Sequence, residues 1–224
     1  MYNKWGEKMR RAIVRKEELI ERLEKRFGRN EPIFMKDIME AWSEYSRPRV
    51  LQLLRELRDG GILLKDTRGV YYFPAEAVYW EGELLLDTMK IVERRYLKDG
   101  GKVFGYYSGL FLLNQAGFSN QVPNTREIVT MKETTRVRTV TIDGFKVKLR
   151  RAKIEINENN APVMQLLEIF NQYDRPLARY QQENLILLTG GKVDTDVLAE
   201  CAKCFPKRAL ENLKRSGIYD VLAQ

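Results

Sequence analysis

Between residues 46 and 61 apolar and polar positions alternate at helical spacing. Val50, Leu53, Leu54 and Leu57 fall on one face, and Gln52, Arg55 and Asp59 on the other. Ser46 stands at the N-cap position, Pro48 is tolerated in the first turn, and Gly60-Gly61 stops the helix. Upstream, Glu31 to Phe34 reads as a short edge strand. Met35 to Trp42 reads as a short helix with Met35, Ile38, Met39 and Trp42 on one side. Ser43-Glu44-Tyr45 is then the turn between two helices. Downstream, Ile62–Lys65 and Val70–Phe73 read as strands joined through Asp66-Thr67-Arg68-Gly69, a turn with basic residues near its tip. Helix, turn, helix and basic hairpin predict a winged helix-turn-helix. Ahead of it, Trp5 to Phe27 reads as one long helix, with Trp5, Met9, Ile13, Ile20, Leu23 and Phe27 on one face.

Pro74 ends the wing, and Ala75 to Gly82 is the expected boundary, which sets domains of 1–75 and 83–224. In the second domain Leu85, Met89, Val92 and Tyr96 recur at helical spacing from Glu83 to Lys98, and Asp99-Gly100-Gly101 closes that helix. Val103–Ser108 follows, then a short apolar helix to Ala116 ended by Gly117. Ser108 is a natural N-cap for it. Three strands are expected over Glu127–Met131, Val137–Ile142 and Phe145–Lys153, the last two joined at Asp143-Gly144, a strong hairpin signal. The remainder reads as helices starting near Pro162, Pro176, Asp194 and Pro206. The expected class is therefore α+β: an N-terminal winged helix-turn-helix followed by a mixed α/β domain with a small antiparallel sheet and a helical tail.

Charge sharpens this picture. The 224 residues carry a net charge of +8. Residues 1–73 hold 17 Lys/Arg against 12 Asp/Glu, and residues 126–153 hold nine against three, so both halves are basic. A polyanionic partner, double-stranded DNA first, fits that balance. The second excess fits the solvated face of a sheet equally well. No apolar run reaches the roughly 20 residues that span a bilayer, and the basic N-terminus lacks the apolar block of a signal peptide, so a cytoplasmic location and no membrane partner are expected.

Histidine is absent, which removes Ser-His-Asp and Cys-His catalysis and His-ligated zinc. Cys201-Ala202-Lys203-Cys204 is a lone CxxC without a second pair, so both cysteines are expected to pack near Phe205. Ser108 as a nucleophile lacks a partner base. Glu127, Glu133, Asp143 and Glu155 form no compact acidic motif for metal-dependent work on nucleic acid. Gly100-Gly101 and Gly190-Gly191 are isolated pairs, read as turns rather than phosphate cradles. The sequence thus predicts a protein that is no enzyme and uses no cofactor or metal.

The candidate DNA contacts are Ser46, Arg47, Arg49, Gln52 and Arg55 on the helix, with Lys65 and Arg68 on the wing. Arg and Gln at the start of such a helix pair with guanine and adenine edges. Arg10, Arg11, Lys148, Arg150, Arg151 and Lys153 are candidates for further nucleic-acid or partner contact. Winged helices also serve as protein-binding modules; the two arginines beside the N-cap favour DNA.

The stretch Phe104-Gly105-Tyr106-Tyr107-Ser108-Gly109-Leu110, running on through Asn114-Gln115-Ala116-Gly117 to Gln121-Val122-Pro123, resembles the AbiEi-type antitoxin and transcriptional regulator family of bacterial type IV toxin–antitoxin systems. Ile128-Val129-Thr130, Val147-Lys148-Leu149-Arg150 and the tail from Leu198 to Arg208 are similar too. Gly109 and Phe118 stand where the family pattern has small or aliphatic residues. The resemblance implies an autorepressor that binds an inverted-repeat operator as two protomers, and an antitoxin that counteracts a co-encoded nucleotidyltransferase toxin. A standalone or ligand-sensing regulator without a toxin is the alternative, and a nucleic-acid-processing enzyme a further one.

Overall fold

Leu19 and Leu23, one helical turn apart, are buried on α1 (helical over residues 16–27), and Ile20 and Phe27 pack partly beside them. The computed structural model describes residues 16–66, 69–75 and 85–223. Trp5, Met9 and Ile13 lie outside them. These residues fall into two compact units, Met1–Ile91 and Val92–Gln224. The first unit continues through β1 (Ile33–Phe34), α2 (Met35–Ala41), α3 (Arg47–Asp59), β2 (Leu64–Lys65) and β3 (Val70–Tyr72). The three strands pair antiparallel in the order β1-β3-β2.

Its core forms where the apolar faces of α1, α2 and α3 meet. Ile38, Trp42, Val50, Leu54 and Leu57 are each no more than 2% exposed. Trp42 Nε1 donates to the Leu19 carbonyl at 3.2 Å, so the buried indole keeps its hydrogen bond. Arg22 Nη1 donates to the Ala41 carbonyl at 2.8 Å and to Glu44 at 2.9 Å, tying α1 to the turn after α2. The end of α3 is built by its glycines. Gly61 takes φ +68°, Ile62 N–H donates to the Leu57 carbonyl at 2.9 Å and Gly61 N–H to Arg58 at 2.9 Å. That is the paired bonding of a Schellman stop.

The second unit takes in α4 (Thr88–Tyr96) from Val92 onward, β4 (Lys98–Asp99), β5 (Lys102–Val103), β6 (Gly105–Ser108), α5 (Gly109–Gln115), β7 (Thr125–Thr130), β8 (Val137–Ile142) and β9 (Phe145–Arg151). Five helices follow: α6 (Ala161–Phe170), α7 (Arg179–Thr189), α8 (Thr195–Ala202), α9 (Lys207–Arg215) and α10 (Ile218–Leu222). Asp99-Gly100-Gly101 does more than stop a helix. With φ +55° and +82° the two glycines turn a small hairpin that pairs Lys98 with Val103.

The four-stranded sheet runs β6-β7-β9-β8. It is not purely antiparallel, as the sequence reading has it, because β7 and β9 pair parallel. The chain leaves β7, runs past one position to lay down β8 at the edge, and the Asp143-Gly144 turn sends β9 back between them. Gly105 is required by contact rather than by φ: a Cβ there would run into the Tyr96 carbonyl and lie 2.9 Å from the Val129 carbonyl. α6, with Leu166, Leu167, Ile169 and Phe170 buried, is the centre of this unit's core. Asp194 caps α8 by accepting from the Asp196 and Val197 N–H groups. Among the described residues, no helix is long and apolar enough to cross a membrane.

Candidate nucleic-acid interface

The burial of Val50, Leu53, Leu54 and Leu57 leaves the rest of α3 outward. Arg47, Arg49, Gln52, Arg55, Arg58 and Asp59 are all exposed. Among the described residues the side chains of Arg47, Gln52 and Arg55 have no hydrogen-bond or ion-pair partner. Arg49 has a single long contact, 3.9 Å to Glu56, whose other oxygen lies 3.4 Å from Lys16 Nζ. Both side chains of the Arg49–Glu56 pair are more than a third exposed, so the pair holds Arg49 only weakly. Ser46 occupies the N-cap position with extended backbone, and its carbonyl accepts from Val50 N–H at 3.0 Å. Its hydroxyl makes no capping bond, contrary to the simplest reading of an N-cap serine, and stays at the exposed helix entry.

The turn before α3 is held independently of those arginines. Tyr45 N–H donates to the Trp42 carbonyl at 3.0 Å, and a hydrogen bond from its own backbone N–H, helped by Arg22, holds the Glu44 carboxyl below the usual carboxylate range. Lys65 is exposed on β2 opposite Tyr71 of β3. Arg68, Arg10 and Arg11 lie outside the described residues. Four cations at the exposed entry and outer face of one helix can approach phosphates or base edges with little rearrangement.

The basic residues of the second unit do not form one surface. Lys148 lies 3.2 Å from Glu127. Arg150 is committed inward: its Nη2 donates to Glu168 Oε1 at 2.8 Å and to Ser108 Oγ at 2.5 Å, and Ser108 Oγ donates to the same Glu168 oxygen at 2.7 Å. Ser108 is fully buried and spends its hydroxyl on this network, so it caps no helix. Burial, reinforced by the Glu168 charge, raises the Tyr106 phenol well above its ordinary pKa. Arg151 and Lys153 border a cleft beside this network.

Glu168 is the functional-looking residue that sequence reasoning missed. Its signal was present: one carboxylate inside the otherwise apolar run Val163 to Phe170 apart from Gln165. Cys201 is buried, which pushes its thiol up to about 11, and Cys204 is half-buried in the turn beside Phe205. No cluster of three or more His, Cys, Asp or Glu suited to a metal ion occurs among the described residues. No protein-family model matches the chain, and no curated protein matches its sequence.

Proposed function

We propose that this chain is a DNA-binding transcriptional regulator whose first unit is a winged helix-turn-helix. The observation that carries the reading is the arginine-rich, solvent-exposed entry of α3, Arg47 and Arg49, set at the start of a helix whose other face is fixed in the core. The small antiparallel sheet β1-β3-β2 supports it, because its β2 and β3 follow α3 in the chain, as a wing follows a recognition helix, and Lys65 on β2 is exposed. Arg47, Arg49 and Gln52 would meet base edges and phosphates in the major groove, Arg55 a phosphate, and Lys65 with Arg68 the neighbouring groove.

The antitoxin half of the proposal rests on the resemblance of the 104–123 stretch. That resemblance implies a nucleotidyltransferase toxin as the functional partner and an inverted repeat filled by two protomers. Co-expression with an adjacent nucleotidyltransferase-like gene, scored as rescue of growth, tests that half alone.

The DNA half is tested by titrating the purified chain onto its own upstream duplex and onto a scrambled duplex. Loss of a bidentate Arg–guanine contact costs about 1–3 kcal/mol, so Arg49→Ala is expected to weaken the specific complex about 5- to 150-fold. Equal affinity for both duplexes, or an Arg49→Ala protein as tight as the parent, defeats the assignment.

A further inference from the structure

β8 is an edge strand of the four-stranded sheet, paired with β9 alone. Its register with β9, together with the Arg151 N–H that donates to the Arg136 carbonyl at 3.3 Å, fixes which way each backbone group points. Opposed residues of an antiparallel pair alternate between those that exchange hydrogen bonds and those that do not. Arg136 is a bonded position, so Arg138, Val140 and Ile142 bond to β9. Val137, Thr139 and Thr141 therefore turn their N–H and C=O groups away from the sheet, and among the described residues nothing pairs with them. The opposite edge differs: the Gly105 N–H at the start of β6 is taken by the Leu97 carbonyl at 3.1 Å.

Edge strands that stay single are blunted by lysine, proline, a bulge or a cover. β8 reads Val-Arg-Thr-Val-Thr-Ile, and its register with β9 is unbroken from Val137 to Ile142. Its one charge, Arg138, lies 2.9 Å from Glu133. Val137 is 49% exposed, and Thr139 and Thr141 are exposed beside it.

We propose that β8 pairs antiparallel with β8 of a second copy of this chain, about a two-fold axis at Thr139, joining the two sheets into one. In this register Thr139 opposes the partner's Thr139, a favourable cross-strand match, and Val137 opposes the partner's Thr141, so every outward backbone group is bonded. On the other face Arg138 opposes the partner's Val140, and no like charges meet directly. At the ends the charges are complementary. Ile142 opposes the partner's Arg136, which sets that exposed guanidinium beside the exposed Asp143, and the axis repeats the contact at the other end. An axis at Arg138 would put two arginines directly opposite. An axis at Val140 would put Val137 against the Asp143 turn. The pairing belongs to the second unit and stands whether or not α3 binds DNA.

Sedimentation velocity of the full chain tests it, with the parent beside Thr139→Pro and Thr139→Lys. The parent should sediment as a concentration-dependent dimer. The Thr139 N–H makes no bond within the sheet, so proline there spares the chain's own ladder while removing the central cross-edge donor. Lysine there sets two ammonium groups directly opposite. Both variants should sediment as single chains with the parent's circular dichroism. Cross-linking reads the register. In Thr139→Cys the opposed Cα atoms would stand about 5.5 Å apart, within disulfide reach. In Thr141→Cys they would be offset by four residues, roughly 14 Å. Diamide should therefore join Thr139→Cys into dimers on the order of tenfold faster than Thr141→Cys or the parent, which carry only the native Cys201 and Cys204 besides. A parent that sediments as a single chain at every concentration overturns the proposal and leaves the edge to a strand of another protein. So does a folded Thr139→Pro or Thr139→Lys protein as dimeric as the parent, or equal cross-linking at positions 139 and 141.

Discussion

Removing the Glu168 carboxylate tests the energetic core of the second unit. Glu168 has a side chain 9% exposed and is the shared acceptor for Arg150 Nη2 and Ser108 Oγ. Glu168→Ala leaves the Arg150 cation without its counter-charge and the fully buried Ser108 hydroxyl without an acceptor. Breaking a buried pair by deleting one partner costs about 3–5 kcal/mol. Arg150 is 34% exposed, so water recovers part of that loss and about 2–3 kcal/mol is the appropriate figure. For a unit of about 130 residues, with an unfolding entropy near 2.1 cal/mol/K per residue, this corresponds to a Tm lower by about 7–11 °C. The assay is scanning calorimetry, with exposure of the buried Cys201 thiol as a reporter within the same unit. Glu168→Gln keeps an acceptor of the same shape and should cost about half as much, since only the charge assistance is lost. A Glu168→Ala shift under about 2 °C, the range of an ordinary surface change, would refute the network as an energetic feature.

Two further outcomes follow from local geometry. Leu54→Ala empties a side chain only 2% exposed in the first unit's core and should cost about 2–5 kcal/mol in urea unfolding followed by tryptophan fluorescence; a loss under 1 kcal/mol would mean the α2–α3 core is not packed as described. Backbone donation from Thr135, with its hydroxyl and Arg138, holds the Glu133 carboxyl below its ordinary 4.5, so its stabilisation is present above that pH and lost as pH falls through the lowered value. The stability gap between the parent and Glu133→Gln should therefore close on acidification, and a gap that widens toward low pH would contradict the sign.

Much of the first unit was legible because its signals are local. The spacing of Val50, Leu53, Leu54 and Leu57 and the Gly60-Gly61 stop describe α3 without reference to the rest of the chain. Asp143-Gly144 marks a hairpin for the same reason, both residues taking positive φ. What escaped depends on contacts distant in sequence. Nothing in β7, β8 or β9 alone announces that β9 enters between the other two. Ser108 has the composition of a helix cap, yet Arg150 and Glu168, 42 and 60 residues away, claim its hydroxyl. The cleft beside that network was invisible for the same reason: register, not spacing, brings Tyr106, Val129, Arg150 and Val137 into one row.

The most direct test of the central claim is the salt dependence of binding to the chain's own upstream duplex, for the parent and for Arg47→Ala/Arg49→Ala. Each phosphate contact contributes about 0.9 to the slope of log K against log salt. The parent should show a steep slope, and the double variant a slope shallower by about 1–2, for two phosphate-contacting arginines, with loss of preference over scrambled DNA. An unchanged slope together with an unchanged preference would contradict that claim and remove α3 from the DNA-binding surface.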